Sequence, residues 1–176
     1  ILAPLKEKGT ATLKADSDLF TYLSKTGKTI KITSGMMGGS WMGSHFTNDD
    51  LIRHTRLSED YTIKLKFEGE ENGVDVCRFT LTPRPDAPVV WGTVEVSVRQ
   101  SDLEPLSELF FDEDGKKVRV LEFSDHRKTG DRVMPMKMVM KPLDGSGEFT
   151  QVVWKEIDFG VNLDKGFFTL QKLKTL

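Results

Sequence analysis

Alternating hydrophobic and polar positions predict β-strands along most of the chain. The clearest alternation places Tyr61, Ile63, Leu65 and Phe67 on one face of a half-buried strand. Similar patterns predict strands over residues 10–14, 18–24, 29–33, 74–82, 94–98, 107–111, 117–123, 133–141 and 149–158. Many strands joined by short turns, each with one polar face, indicate an antiparallel meander or barrel.

Short signals mark the turns and the few predicted helices. Residues 25–28, Lys-Thr-Gly-Lys, and residues 71–73, Glu-Asn-Gly, are typical of hairpin turns. Thr47 followed by Asp50 predicts the N-terminal cap of a short helix that ends near residue 56. A second short helix is predicted in the tail, beginning at Phe168-Thr169.

One predicted strand carries methionine at every second position. Because side chains alternate across a strand, Met134, Met136, Met138 and Met140 share one face. Methionine adapts to irregular apolar partners, so this row suits a wall that contacts variable apolar ligands. The alternative is a methionine-rich core strand.

Residues 34–50 combine four glycines, three methionines, a tryptophan and a phenylalanine. The segment is too apolar for a solvated loop and too rich in glycine for a core strand. It predicts a loop folded against an apolar surface, with Met36, Met37, Trp41, Met42 and Phe46 as candidate ligand contacts. The glycines would let this loop open and close. The alternative is a permanent plug with Trp41 as a core anchor.

Composition narrows the class of protein. The chain has 176 residues, which favours one domain, and 38% of them are hydrophobic. A net charge of −2 gives no electrostatic reason to expect a nucleic-acid partner. No apolar run approaches the length of a membrane span. Cys77 is the single cysteine, so it forms no internal disulfide and is expected to be a buried hydrophobe.

Catalytic motifs are not found. Residues 39–43 lack the spacing of a nucleophile elbow, and no Gly-Lys-Ser/Thr ends the glycine-rich run. His45, Asp49, Asp50 and His54 form the one cluster with metal-ligand character, although capping acids on a solvated helix explain it as well. His126 is predicted to be exposed at a strand end. We therefore expect no enzyme, no cofactor and no metal.

The loop also carries a family resemblance. Residues 35–44, Gly-Met-Met-Gly-Gly-Ser-Trp-Met-Gly-Ser, followed by residues 46–51, Phe-Thr-Asn-Asp-Asp-Leu, resemble the signature of the outer-membrane lipoprotein-sorting protein family, a LolA-like group. The chain departs from the family pattern at His45, where Asp is usual, and at Phe20, where Trp is frequent. The resemblance spans essentially the whole chain.

The resemblance implies a mainly β protein: a curved antiparallel sheet forming a half-open barrel, LolA/LolB-like, with short covering helices. Family members are exported to the periplasm by a signal peptide and bind acyl chains or lipidated protein in an apolar cavity. Members begin with a helix and a first hairpin that this chain, starting at Ile1, does not contain. We expect one LolA-like domain over residues 1–176, preceded by further sequence.

The resulting prediction is a periplasmic carrier or chaperone for lipid-like or lipoprotein acyl-chain ligands, involved in outer-membrane lipoprotein sorting and transport. Its predicted ligand contacts are Met36, Met37, Trp41, Met42, Phe46, Met134, Met136, Met138 and Met140. Its expected partners are lipid or lipoprotein acyl chains, an inner-membrane exporter and, peripherally, a membrane surface. One alternative is an accessory module that docks on an RND-type exporter or another envelope protein. A further alternative is a metal-dependent enzyme using His45, Asp49 and His54.

Overall fold

The computed structural model describes residues 1–16, 18–53 and 56–175. The described strands, β1 to β10 in chain order, are Ala11–Ala15, Asp18–Leu23, Lys28–Ile32, Tyr61–Glu71, Val74–Pro83, Thr93–Arg99, Pro105–Phe111, Lys117–Thr129, Arg132–Pro142 and Thr150–Val153. The described α-helices, α1 to α3, are Asp50–Arg53, Leu57–Asp60 and Leu170–Leu173. Single 3₁₀ turns occupy Leu5–Glu7, Ser34–Met36 and Lys165–Phe167.

The chain divides into two compact units. The first comprises Ile1–Ser40, Thr47–Thr55 and Gly160–Leu176, and the second comprises Trp41–Phe46 and Arg56–Phe159. The predicted single domain over residues 1–176 stays a prediction.

The first unit contains a three-stranded antiparallel sheet in the order β1-β2-β3. Its apolar interior is built from Leu13, Leu19 and Ile32, which are almost fully buried. Helix α3 contacts β1 and buries Leu173. The side chain of Thr169 accepts a hydrogen bond from the Lys172 amide and so caps the short helix that was predicted to begin at Phe168-Thr169.

The second unit contains a seven-stranded antiparallel sheet in the order β10-β9-β8-β7-β6-β5-β4. Because β4 and β10 are the two ends of this order, the sheet is open. The mainly β, half-open architecture predicted from the sequence is therefore confirmed.

One face of this sheet holds the apolar core of the second unit. Leu81, Val94 and Phe110 are cross-strand partners on β5, β6 and β7, and all three are almost fully buried. The buried members of this core cluster are Phe46, Tyr61, Leu81, Val94, Phe110, Leu121 and Met140. We call the face that carries these residues the inner face.

The prediction for residues 61–68 is wrong in one respect. Tyr61 is buried, but Ile63, Leu65 and Phe67 are 47%, 54% and 36% exposed. A β-bulge shifts the register between Leu65 and Phe67, so Phe67 pairs with Arg78 rather than sharing the face of Leu65. The Arg78 guanidinium lies 5.6 Å from the Phe67 ring centroid. Ile63 and Leu65 are also exposed because β4 is an edge strand and has a neighbouring strand on one side only.

Other elements differ from the prediction in length. Of the helix predicted over residues 47–56, the structure describes Asp50–Arg53, and residues 54 and 55 lie outside the described chain. Thr47 and Asp50 nevertheless interact as predicted, since the Thr47 amide donates to Asp50 Oδ2 at 2.7 Å. Strand β10 covers Thr150–Val153 instead of residues 149–158, although the Trp154 amide still donates to the Met136 carbonyl of β9 at 2.9 Å.

Candidate functional site

The second unit contains an open cavity of about 990 Å³ beside the hairpin of β8 and β9. Most of its wall is apolar, formed by Pro105, Phe123, Val133, Met134, Pro135, Met138, Trp154 and Ile157. Its charged lining residues are Asp102, Glu104, Asp131, Arg132 and Glu156. A largely apolar concavity with a few polar groups is the usual form of a small-molecule site.

Strand pairing builds the apolar wall of this cavity. Met138 of β9 lies directly opposite Phe123 of β8 and Val152 of β10, so three neighbouring strands present apolar side chains at one level. Met134 occupies the same face four residues earlier, where β9 is half-exposed. The predicted methionine row therefore contributes two side chains, Met134 and Met138, to the cavity.

The other two methionines of the row are packed in the interior. Met140 is fully buried within the core cluster of the inner face, and Met136 is 4% exposed. Neither residue lines the cavity. The row is thus divided, with Met136 and Met140 packed in the core and Met134 and Met138 in the cavity wall, and the predicted contact of these methionines with a ligand stays a prediction.

The segment Trp41–Phe46 packs against the inner face. Phe46 is buried in the core cluster, and Trp41 packs against the same cluster. A tight turn links them: the Trp41 amide donates to the Phe46 carbonyl at 2.8 Å, and the Ser44 amide donates to the Trp41 carbonyl at 3.0 Å. Met42 and Gly43 both have positive φ in this turn, which explains a glycine at the second position.

Side chains of the sheet also hold this segment. His45 donates its amide to Thr150 Oγ1 at 3.0 Å, and its Nδ1 atom lies 2.8 Å from the same hydroxyl. Arg119 donates from Nη1 to the His45 carbonyl at 3.0 Å. The Arg119 guanidinium lies 4.2 Å from the ring centroids of both Trp91 and Phe110. These contacts resemble the predicted plug more than a loose lid.

Two buried charges on the inner face were not singled out by the sequence analysis. Glu108 and Arg119 are each 4% exposed. Because Glu108 pairs with Leu121 and Phe110 pairs with Arg119, the two charged side chains are diagonal neighbours on one face. The sequence pattern contains this information. Glu108 lies two residues before Phe110, and Arg119 lies two residues before Leu121, so each charged residue shares a strand face with an apolar one.

Met36 and Met37 belong to the first unit. Met36 is 41% exposed, and its carbonyl accepts hydrogen bonds from the Gly39 amide and from Asn48 Nδ2, both at 3.0 Å. Neither methionine lines the cavity of the second unit. Their predicted role in ligand binding stays a prediction.

The charged residues that line the cavity differ in how far neighbouring groups neutralise their charge. Asp102 receives two hydrogen bonds from Arg99, at 2.8 and 2.7 Å, and these bonds hold the pKa of its carboxyl below the ordinary value. Arg132 places its guanidinium 5.2 Å from the centroid of the Phe159 ring. Arg99 also interacts electrostatically with Glu104, whereas no ion pair within the described chain involves Asp131 or Glu156.

The predicted metal ligands do not form a described site. His45 belongs to the second unit and Asp49 to the first, while His54 lies outside the described residues. Among described side chains, no group of three or more His, Cys, Asp and Glu residues could hold a metal ion. His126 is also placed differently from the prediction: it lies within β8 and is half-buried, with Nε2 3.0 Å from the Pro105 carbonyl oxygen.

A comparison with family models assigns the chain to a protein family. A family model with the description "-like: Uncharacterized protein" matches residues 1–175. The chain belongs to this family. A comparison with curated proteins gave no match.

Solved structures identify the fold. A domain described as an outer membrane lipoprotein-sorting protein from Vibrio parahaemolyticus is 24% identical, with a TM-score of 0.85 over 98% of this chain and 74% of that chain. A DUF1329 family protein from Desulfovibrio piger is 23% identical, with a TM-score of 0.88 over 98% and 74%. A LolA superfamily protein from Nitrosomonas europaea is 19% identical, with a TM-score of 0.73 over 98% and 75%.

At these identities the matches establish the fold, and the LolA-like fold that the loop motif predicted is confirmed. Among the described helices of this LolA-like chain, none has the length and hydropathy needed to cross a bilayer.

Proposed function

We propose that the protein is a periplasmic carrier or binding protein for lipid-like ligands or lipoprotein acyl chains, acting without a catalytic step. The observation that carries this proposal is the cavity of about 990 Å³ walled by Phe123, Met134 and Met138. Its volume lies near the upper end of the range of small-molecule sites, roughly 300–1,000 Å³. Flexible thioether side chains suit a ligand of variable shape such as an alkyl chain.

Burial of an alkyl chain is sufficient to drive binding. Transfer of each methylene out of water contributes about 0.8 kcal/mol, so a chain of about twelve carbons gains on the order of 9 kcal/mol before the costs of association. Binding of this kind needs no directed polar chemistry. The apolar cavity therefore provides what a carrier requires.

The residues predicted to contact the ligand have different roles in this proposal. Met134 and Met138 form the primary wall, and Met136 and Met140 support it from the interior. Trp41, Met42 and Phe46 are not among the residues that line the described cavity, and they are proposed to contact ligand as a rim or lid. Met36 and Met37 are proposed to contact ligand only at a later stage of uptake or delivery. The lipoprotein-sorting name of the Vibrio parahaemolyticus neighbour supports a periplasmic location and a role near the outer membrane.

A dye-binding experiment tests this function. The uncharged dye N-phenyl-1-naphthylamine is expected to bind the purified protein with increased fluorescence, and an alkyl amphiphile is expected to displace it. Met138→Lys replaces an apolar side chain of the cavity wall with a hydrated ammonium group and should reduce dye affinity at least about tenfold, because the wall then offers less apolar surface to the dye. The matched control is Leu143→Lys, since Leu143 is 45% exposed and does not line the cavity. Equal dye binding by both folded variants contradicts the proposed site.

An exposed strand edge favours a second candidate function, docking on an exporter or another envelope protein. Ile63 and Leu65 of edge strand β4 are about half-exposed. Addition of a partner strand is disfavoured there by the bulge between Leu65 and Phe67 and by the lysines Lys64 and Lys66. Docking would therefore use the apolar side chains. Native mass spectrometry of protein purified from a bacterial host separates the candidates, since a carrier retains lipid and a docking module does not.

A further inference from the structure

We propose that the cavity prefers amphiphiles whose head group carries a positively charged ammonium group over those with an anionic head. This inference rests on the proposed function, because it concerns the head-group selectivity of the same cavity. The apolar wall would hold the tail, and the charged lining residues would face the head.

Carboxylates dominate the uncompensated charge of the cavity. Asp131 and Glu156 line it without an ion-pair partner within the described chain, and Glu104 lines it with an electrostatic interaction with Arg99 that Arg99 shares with Asp102. Asp102 also lines it, but its charge is compensated by the two hydrogen bonds from Arg99. Arg132 supplies the one cationic side chain among the described lining residues. The lining therefore carries net negative charge although the cavity wall is mostly apolar.

This imbalance should act on a bound ligand. Glu104 is half-buried, whereas Asp131 and Glu156 are exposed, so their attraction for a charged head group is screened by solvent and depends on ionic strength. Three carboxylates against one guanidinium attract an ammonium group and repel a sulfate or carboxylate head. Arg132 offers one place for a phosphate, so a head with both ammonium and phosphate groups is compatible with the same lining.

Tail-matched amphiphiles test the inference. Dodecyltrimethylammonium, dodecyl sulfate and dodecyl maltoside are compared below their micelle concentrations as competitors of N-phenyl-1-naphthylamine, at low ionic strength. The cationic amphiphile should displace the dye at about tenfold lower concentration than the anionic one, and added salt should narrow the difference. The combined variant Glu104→Gln, Asp131→Asn and Glu156→Gln should bring the two concentrations within about twofold of each other.

A charge-matched control uses exposed residues that do not line the cavity: Glu70→Gln, Glu113→Gln and Asp114→Asn. This variant should retain the preference for the cation. Equal or tighter binding of dodecyl sulfate by the unsubstituted protein overturns the inference and leaves the proposed function intact. A preference that persists in the cavity variant also overturns it. If neither the dye nor any dodecyl amphiphile binds, the proposed function fails and the inference fails with it.

Discussion

At the scale of single residues, Arg119 links the sheet to the segment Trp41–Phe46. Its guanidinium contacts the rings of both Trp91 and Phe110 and donates a hydrogen bond to the His45 carbonyl. A buried cation is costly unless such contacts compensate it. The sequence alone leaves this loop open, either as a lid or as a plug. In the structure Arg119 is one of the residues that hold it, together with Thr150 and the buried Phe46.

Replacement of this residue gives a direct prediction. Arg119→Met should lower the free energy of unfolding by about 2–4 kcal/mol, because it removes a charge-assisted hydrogen bond and two cation–π contacts. Hydrogen exchange at the Trp41 and His45 amides should become faster. The control is Arg127→Met, which breaks an exposed ion pair with Asp125 and should leave the unfolding free energy nearly unchanged. Unaltered exchange at both amides in Arg119→Met would show that the residue does not hold the segment.

At the scale of elements, Gly92 is required where the chain enters β6. A Cβ atom at Gly92 would lie 2.3 Å from the Asp112 carbonyl oxygen and 2.8 Å from the Glu113 Cα atom. Because both are backbone atoms, Gly92→Ala should destabilise the protein by about 1–3 kcal/mol through overpacking. Gly35→Ala is the matched control, since a Cβ atom there meets nothing within 4 Å. Denaturant unfolding measures both; equal stability of the two variants would contradict the packing described.

The sequence predicted which residues form strands better than it predicted which of their side chains are buried. Val94, Val96 and Val98 gave the correct strand because a period of two is a local property. The exposure of Ile63 and Leu65 was missed because it depends on β4 lying at the sheet edge and on a bulge, and neither is encoded in the alternation. Strand β8 extends to Thr129 beyond its predicted end, since its last residues are polar on both faces and carry no period.

At the scale of the whole molecule, the glycine- and methionine-rich loop was the most informative segment. Its motif predicted the LolA-like fold, which is now confirmed. The motif could not predict which residues line the cavity, because this depends on long-range strand pairing. Phe123, Trp154 and Ile157 line the cavity although no local pattern marked them, whereas Met136 and Met140 are buried beside it.

Methyl NMR of the seven methionines tests most directly whether an alkyl chain binds against Met134 and Met138. Protein labelled with ¹³C at the methionine methyl groups is titrated with dodecyl maltoside below its micelle concentration, and each signal is assigned by a single Met→Leu variant. We expect saturable chemical-shift changes that are largest for the methyl groups of Met134 and Met138. Signals that stay unchanged at saturating amphiphile, or shifts confined to Met36 and Met37, would contradict it.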